Sequence, residues 1–233
     1  ETVEKNDSSR AISILLLATI LSALIGPNVA NFTKNIISEH LYTGSYISLA
    51  VLLIIPVFLL VFYRTDNNPK TIKNTNSNQR SYLELLQNPI ILQAIVTAAF
   101  AYSMMSFIMT ATPISMYKMH GFTLGSTSIV IQLHIIGMFL PSLITGSLIK
   151  KYGHSAIIYS GALIYLICIS LSFFDQTFIN YLISLILLGI GWNFLFIGGT
   201  SLLVLCYKDS EKFKVQGFND VLVFSIQSIA SLI

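Results

Sequence analysis

Long, uninterrupted runs of apolar residues limit the folds that are open to this sequence. Seven runs are separated by short polar stretches, and they cover Ala11–Ala30, Tyr46–Phe62, Pro89–Ala111, Thr127–Ile149, Ala156–Phe174, Phe178–Cys206 and Val221–Ile233. A helix of about 20 apolar residues spans the hydrocarbon core of a bilayer, whereas the strands of a membrane barrel alternate over about ten residues. Charged residues form 10% of the 233 residues, against about 25% in soluble domains. The sequence therefore predicts an all-α, multi-pass membrane protein.

Positive charges are unequally shared between the polar stretches. When these stretches are assigned alternately to the two sides of a membrane, all but two of the 13 Lys and Arg residues fall on the side of the N-terminal stretch. The two exceptions are Lys34 and Lys118. Loops rich in Lys and Arg stay in the cytoplasm, so we predict a bacterial inner-membrane protein with a cytoplasmic N-terminal end. The net charge of +3 follows from this topology, and we expect no nucleic-acid partner.

One polar stretch divides the apolar runs into two groups. Residues 64–81 are rich in Asn, Thr and Lys and lack apolar periodicity, and Tyr82–Gln87 has the pattern of a short interfacial helix. We predict two transmembrane helices within residues 1–63, a cytoplasmic linker over 64–88, and five helices in 89–233, the last one truncated. The final run is too short to cross a membrane and residue 1 is Glu, so we expect the natural protein to be longer.

Two motifs add a family resemblance to this layout. Residues Gly146–His154 read GSLIKKYGH, and the first run contains the pair Gly26-Pro27. The former resembles the cytoplasmic Gly-x-Leu-x-Asp-Arg-x-Gly-Arg motif of the major facilitator superfamily, in the copy between its eighth and ninth helices. The latter resembles the Gly-Pro motif that many antiporters of this superfamily carry on the fifth helix. The resemblance covers essentially the whole chain and implies helices five to eleven of twelve.

The resemblance implies a secondary transporter whose two helical bundles rock about a central site, with the two motifs in gating roles. Two departures weaken the match, because Lys150 replaces the motif's Asp and Ser22 replaces a Gly of the antiporter pattern. We also expect Pro27 to bend or end its helix. The gating candidates are Asp220, Gly146, Lys150, Lys151, Gly153, Gly26 and Pro27. Asp220 has a second interpretation, as an acid in the first turn of its helix that offsets the helix dipole. In that case Asn219 is the N-cap residue of the helix.

Polar groups within apolar runs are functional candidates because they are costly in a membrane. His134, with Gln132 beside it, either carries a coupled proton or substrate, or bonds a neighbouring helix carbonyl as a packing residue. Trp192 and Asn193 lie among the glycines of the sixth run, which also allow that helix to bend, and they form either a substrate platform or core packing. The candidates for substrate binding or proton coupling are His134, Gln132, Trp192, Asn193, Gln227 and Tyr102.

No enzymatic motif is recognised in the sequence. It has no Gly-rich phosphate loop, no metal-ligand spacing and no nucleophile–base set, so we predict no catalytic residue, no metal and no cofactor. We predict a monomeric transporter of a small organic molecule, embedded in lipid, that works by alternating access with H⁺ as the coupling ion, in either direction. A transport-inactive membrane receptor on the same fold is the alternative.

Overall fold

The computed structural model describes residues 8–37, 42–62 and 79–232 of the chain. All regular structure within these residues is helical, which confirms the predicted all-α class. The α-helices are α1 (Ser8–Thr33), α2 (Thr43–Phe62), α3 (Tyr82–Gln87), α4 (Pro89–Ile114), α5 (Leu124–Phe139), α6 (Ser142–Tyr152), α7 (His154–Leu171), α8 (Phe178–Val204) and α9 (Lys212–Ala230). Five spans of the described residues, with α5 and α6 forming a single one, are long and apolar enough to cross a membrane.

The chain forms two compact units, one of residues 22–77 and one of residues 1–21 together with 78–233. Most of the predicted linker lies outside the described residues, so its boundaries stay a prediction. In the first unit, Ser45 Oγ donates to Ala30 O at 2.6 Å and joins α1 to α2. Helix α1 continues through Pro27 to Thr33, so Pro27 does not end the helix. Asn28 Nδ2 supplies an extra donor there, 2.7 Å from Leu24 O.

Helix α8 lies at the centre of the second unit and packs against α4, α5 and α7. Its glycines face these neighbours at close range. A Cβ atom placed on Gly189 would lie 2.5 Å from His134 O on α5, and one on Gly199 would lie 2.9 Å from Ala94 O on α4. On the α7 side, a Cβ on Gly191 would lie 2.5 Å from Tyr165 Cδ1. The helix is uninterrupted, so these glycines allow close helix packing rather than a break.

The fourth apolar run is interrupted, which the sequence analysis did not anticipate. Helix α5 ends at Phe139 and α6 begins at Ser142, with Pro141 between them. Proline lacks the backbone N–H that would continue the hydrogen-bond ladder, and its ring clashes with the preceding turn. Helix α6 then ends at Tyr152 and is followed by Gly153, whose φ of +85° is a conformation that glycine adopts without strain.

Helix α9 begins at Lys212, well before the seventh apolar run. Val215, Asn219 and Val223 recur at a spacing of four and form its buried face, and Val223 packs against Ala98 and Ala99 of α4. Asp220 therefore lies in the middle of the helix, and so does Asn219. The interpretation of Asp220 as a first-turn acid, with Asn219 as the N-cap of the helix, is wrong. The helix extends upstream because this face packs against α4.

The close approach of α8 to α5 gives a direct test of this packing. We expect Gly189→Ala to lower the free energy of unfolding by about 1–3 kcal/mol, because the added methyl group would overlap backbone atoms that cannot move aside. The matched control is Gly146→Ala in α6, where an added Cβ has no neighbour within 4 Å and a gain of about 0.5–1 kcal/mol is expected. Thermal unfolding of the full-length variants in detergent, followed by circular dichroism, measures both; equal melting temperatures would contradict this account.

Candidate functional site

Aromatic rings from four helices meet in the second unit. The Trp192 and Phe196 rings of α8 are stacked, with centroids 4.8 Å apart and planes at 18°. The Tyr102 ring of α4 stands edge-on to both, at 5.3 Å and 5.1 Å. Phe139 of α5 and Phe224 of α9 extend the group through contacts at 6.0 Å and 5.6 Å. Tyr102, Phe139, Trp192, Phe196 and Phe224 are called the aromatic cluster below.

The aromatic cluster combines a packed interior with an open side. Trp192 is 4% exposed, whereas Phe224 is 51% exposed, and Tyr102, Phe139 and Phe196 are half-buried. The Trp192 Nε1 atom is buried and has no hydrogen-bond partner among the described residues. A buried N–H without an acceptor is costly. The cluster thus combines an exposed ring, that of Phe224, with one buried and unsatisfied donor.

Three further candidates lie on the helix faces that carry this cluster. Gln132 precedes Phe139 by seven residues on α5, which places both on one face of the helix, and Gln132 is half-buried. On α9, Asp220 lies four residues before Phe224 and Gln227 lies three residues after it, so they share a face as well. Asp220 is exposed and Gln227 is half-buried. The helices therefore bring Gln132, Gln227 and Asp220 to the borders of the aromatic cluster.

His134 occupies a different place from Gln132. Its side chain is fully buried where α5 crosses α8, and its Nδ1 atom lies 2.8 Å from Leu185 O. If Nδ1 donates to that carbonyl, Nε2 is the unprotonated ring nitrogen, and Nε2 has no partner among the described residues. A two-residue step on a helix turns the side chain by about 200°, away from the Gln132 face. This geometry favours the packing interpretation of His134.

Asn193 connects α8 to the interruption between α5 and α6. The side chain is fully buried, and its Nδ2 atom donates to Met138 O and to Ser142 Oγ, both at 2.6 Å. The Thr145 hydroxyl donates to Asn193 Oδ1 at 2.7 Å. All its polar atoms are engaged, so Asn193 compensates for the break at Pro141. Trp192 and Asn193, adjacent in sequence, thus have different surroundings, and the packing interpretation suits Asn193.

The loop motif forms the end of α6 and the turn into α7. Gly146 faces open space, Gly153 makes the turn, and Lys150 and Lys151 are exposed at a helix C-terminus, where cations are favourable. Neither lysine forms an ion pair within the described part of the chain. Gly26 of the first unit also faces open space. No cluster of His, Cys, Asp or Glu that could hold a metal was found among the described residues.

A buried ion pair at the linker end of the second unit was missed by the sequence analysis. Glu211 is 1% exposed and Arg80 is 30% exposed, and Arg80 Nη2 lies 2.7 Å from Glu211 Oε2. The Arg80 backbone N–H and Nε also donate to Glu211 Oε1, both at 3.0 Å. Arg80 Nη2 donates to Cys206 O at 2.9 Å, and Lys214 Nζ donates to Arg80 O at 2.6 Å. We call this group the Arg80–Glu211 clamp.

The clamp joins the segment before α3 to the connection between α8 and α9. Hydrogen bonds from the Arg80 guanidinium and from the backbone N–H groups of Arg80 and Lys208 lower the pKa of Glu211 to about 2, despite its burial. The same pairing raises the pKa of Arg80. In the sequence, Arg80 is one of the many cations that the predicted topology assigns to one side of the membrane, and Glu211 lies in a polar loop. No local pattern indicates that the two residues meet across 131 positions.

A family model described as the Major Facilitator Superfamily matches residues 1–231 of this chain. The chain belongs to the major facilitator superfamily. The superfamily is one of multi-pass membrane proteins, in agreement with the five apolar spans of the described residues. The match confirms the predicted membership of this superfamily, which the sequence analysis based on the loop motif and the Gly-Pro pair.

Curated relatives show how much of a superfamily protein is present. The riboflavin transporter RfnT of Brucella anthropi is 35% identical over 228 residues, which cover 96% of this chain and 56% of that protein. Two uncharacterized MFS-type transporters of Bacillus subtilis, YddS and YdeG, are each 32% identical and cover 96% and 91% of the chain. The chain spans 54% of YddS and 53% of YdeG, and thus about half the length of these relatives. No solved structure matches it.

The Arg80–Glu211 clamp predicts how the stability of this superfamily member depends on pH. Because the pKa of Glu211 is lowered from 4.5 to about 2, its stabilising contribution is complete above about pH 4.5 and is lost as the pH falls through about 2. At neutral pH, Glu211→Gln is expected to cost about 3 kcal/mol, since it removes one partner of a buried ion pair. The melting temperatures of the wild type and Glu211→Gln should converge below about pH 4.5.

The control for this experiment is Lys212→Gln, which changes a neighbouring charge outside the clamp and should shift stability by no more than about 0.5 kcal/mol. A gap between wild type and Glu211→Gln that stays constant from about pH 7 to pH 3 would contradict the assigned role of the carboxylate.

Proposed function

We propose that the complete protein is a secondary active transporter that moves a small organic molecule across the bacterial inner membrane by alternating access. The observation that carries this proposal is the aromatic cluster, whose exposed Phe224 side offers a contact surface for substrate and whose Trp192 Nε1 has no acceptor among the described residues. The proposed orientation places the clamp and the Gly146–Gly153 motif in the cytoplasm, in agreement with the lysines and arginines near them. We propose that the transporter acts as a monomer within the lipid bilayer.

Riboflavin is the first substrate to test. The relative from Brucella anthropi is named as a riboflavin transporter, and the flat ring system of riboflavin suits stacking at the exposed, Phe224 side of the aromatic cluster. The carbonyl oxygens of the ring could accept the Trp192 N–H, which would remove the cost of leaving this donor unpaired. Gln132 and Gln227, at the borders of the cluster, add amide groups of both hydrogen-bonding kinds.

The substrate proposal predicts that Trp192 controls apparent affinity. In proteoliposomes with the full-length protein, Trp192→Ala should raise the KM for radiolabelled riboflavin about tenfold, because both stacking and one hydrogen bond are lost. Tyr159→Phe, at a 69% exposed position of α7, is the control and should leave KM unchanged. Saturable binding without flux would favour the receptor alternative, and the absence of both in the wild type would exclude riboflavin as the substrate.

We further propose that an H⁺ gradient drives transport. Two ionisable side chains are the candidates: His134, whose Nε2 is buried and has no partner in the part of the chain that the structure describes, and Asp220, which is exposed one turn before Phe224 on α9. The surroundings of His134 suit a packing role, whereas Asp220 borders the aromatic cluster. Asp220 is therefore the stronger candidate for a carboxylate that protons reach in turn from the two sides of the membrane. It is also the gating candidate nearest to the proposed substrate.

The coupling proposal predicts which substitution removes the dependence of flux on the proton gradient. Asp220→Asn should abolish the stimulation of riboflavin uptake or efflux by an imposed pH difference, while exchange without a gradient continues. His134→Gln should retain the stimulation, because His134 holds α5 against α8 and its loss acts on stability. Loss of stimulation in His134→Gln alone, with an unchanged melting temperature, would assign coupling to His134; wild-type flux that ignores the gradient would refute proton coupling.

A further inference from the structure

A polar cleft lies at the end of the second unit that is remote from the Arg80–Glu211 clamp. Helix α4 widens there into a π-helical turn, Ser115–Met119, a form of helix that often accompanies functional sites. Between this turn, the end of α7 and the first turn of α8 lies a cavity of about 380 Å³. A smaller enclosed recess of about 50 Å³ continues inward to Cys168 and Ser184. We refer to the cavity and the recess together as the far-end cleft.

Three side chains that line or border this cleft form a hydrogen-bonded group. Ser115 Oγ lies 2.6 Å from Tyr181 Oη, and Tyr181 Oη lies 3.1 Å from His120 Nδ1. His120 Nδ1 also lies 3.1 Å from Ser115 O. If Nδ1–H is shared between Ser115 O and Tyr181 Oη, the tyrosine O–H donates to Ser115 Oγ. The hydroxyl hydrogen of Ser115 then remains available to a ligand.

Two further side chains of the cleft supply acceptors, one on the connection between α7 and α8 and one on α4. Gln176 uses its Nε2 to donate to Ser172 O and Phe174 O, at 2.9 Å and 3.2 Å, and its Oε1 accepts no hydrogen bond from the described residues. Thr112 is 5% exposed and donates its hydroxyl hydrogen to Ile108 O at 2.8 Å, which leaves its oxygen able to accept. With that assignment of the hydrogens, the cleft presents a donor on the π-helical turn and acceptors on α4 and on the connection between α7 and α8.

The lining also excludes several kinds of ligand. No Asp, Glu, Lys or Arg among the described residues lines either part of the far-end cleft, so a carboxylate ligand would find no Lys or Arg partner there to offset its desolvation. The volume is near the lower limit of ordinary ligand sites, about 300–1,000 Å³, which limits the ligand to a small molecule. The recess, lined by Ser184, Asn180 and Cys168, is large enough for water.

We propose that the far-end cleft binds a small neutral molecule with several hydroxyl groups, at a site separate from the aromatic cluster. Thr112 lies ten residues beyond Tyr102 on α4, and Tyr181 lies eleven residues before Trp192 on α8, so about 15 Å separates the two sites along the helices. In the proposed orientation the cleft opens on the extracytoplasmic side. The location of this binding site does not depend on which substrate the aromatic cluster carries.

Xylitol and its carboxylate analogue xylonate provide a matched pair of probes. Full-length protein in nanodiscs would be titrated with each compound, and binding would be followed by saturation-transfer NMR. We expect saturable xylitol binding, xylonate binding at least tenfold weaker, and no competition from excess riboflavin. Ser115→Ala and Gln176→Leu should each weaken xylitol binding about tenfold, the effect of losing a hydrogen bond worth about 1.4 kcal/mol.

Two controls separate this proposal from loss of fold and from the proposed substrate site. Ser103→Ala, also on α4, removes a hydroxyl that donates to Ala99 O of its own helix and should leave xylitol binding unchanged. Trp192→Ala should likewise leave it unchanged, whatever it does to riboflavin transport. The proposal is overturned if the wild type shows no saturable xylitol binding, if xylonate binds equally well, or if Trp192→Ala abolishes binding while Ser115→Ala and Gln176→Leu do not.

Discussion

Close backbone contact along α8 is the constraint on which the second unit depends. In a membrane, apolar side chains gain little by leaving lipid for another apolar surface, so helices associate mainly through packing and hydrogen bonds. Gly189, Gly191 and Gly199 let α5, α7 and α4 approach α8 from three directions. The positions of Trp192 and Phe196 follow from this arrangement, because the aromatic rings lie on the same helix as the glycines. The candidate site is therefore built on the most tightly packed element of the unit.

Polar side chains within the membrane segments mostly support the scaffold. Asn193 satisfies the interruption at Pro141, and the Tyr165 hydroxyl donates to Ala101 O of α4 at 2.9 Å. His134 bonds the Leu185 carbonyl in the same way. Each joins two helices where lipid could offer no partner. Side chains at the borders of the aromatic cluster, such as Gln132 and Asp220, differ because they lie away from these crossings.

Part of the fold could be predicted from the sequence, because it depends on residues that are close together in the chain. Apolar runs, the short helix Tyr82–Gln87 and the glycine at position 153 depend on neighbouring residues, and the structure has them where the sequence indicates. The break at Pro141 was missed because an apolar run looks continuous even when a proline interrupts it. The start of α9 was misplaced because packing on α4, rather than apolar composition, sets it. The Arg80–Glu211 clamp joins residues 131 positions apart, and no local pattern encodes such a pair.

The stacked position of Trp192 has an optical consequence. The chain contains a single tryptophan, and its indole lies in a nearly dry environment with no acceptor for its N–H among the described residues. Indole emission moves to longer wavelength when polar groups surround the ring, so the emission of this residue should be blue-shifted. Tryptophan fluorescence from this chain therefore originates inside the candidate site, and a ligand that brought polar groups to the indole would shift it to longer wavelength.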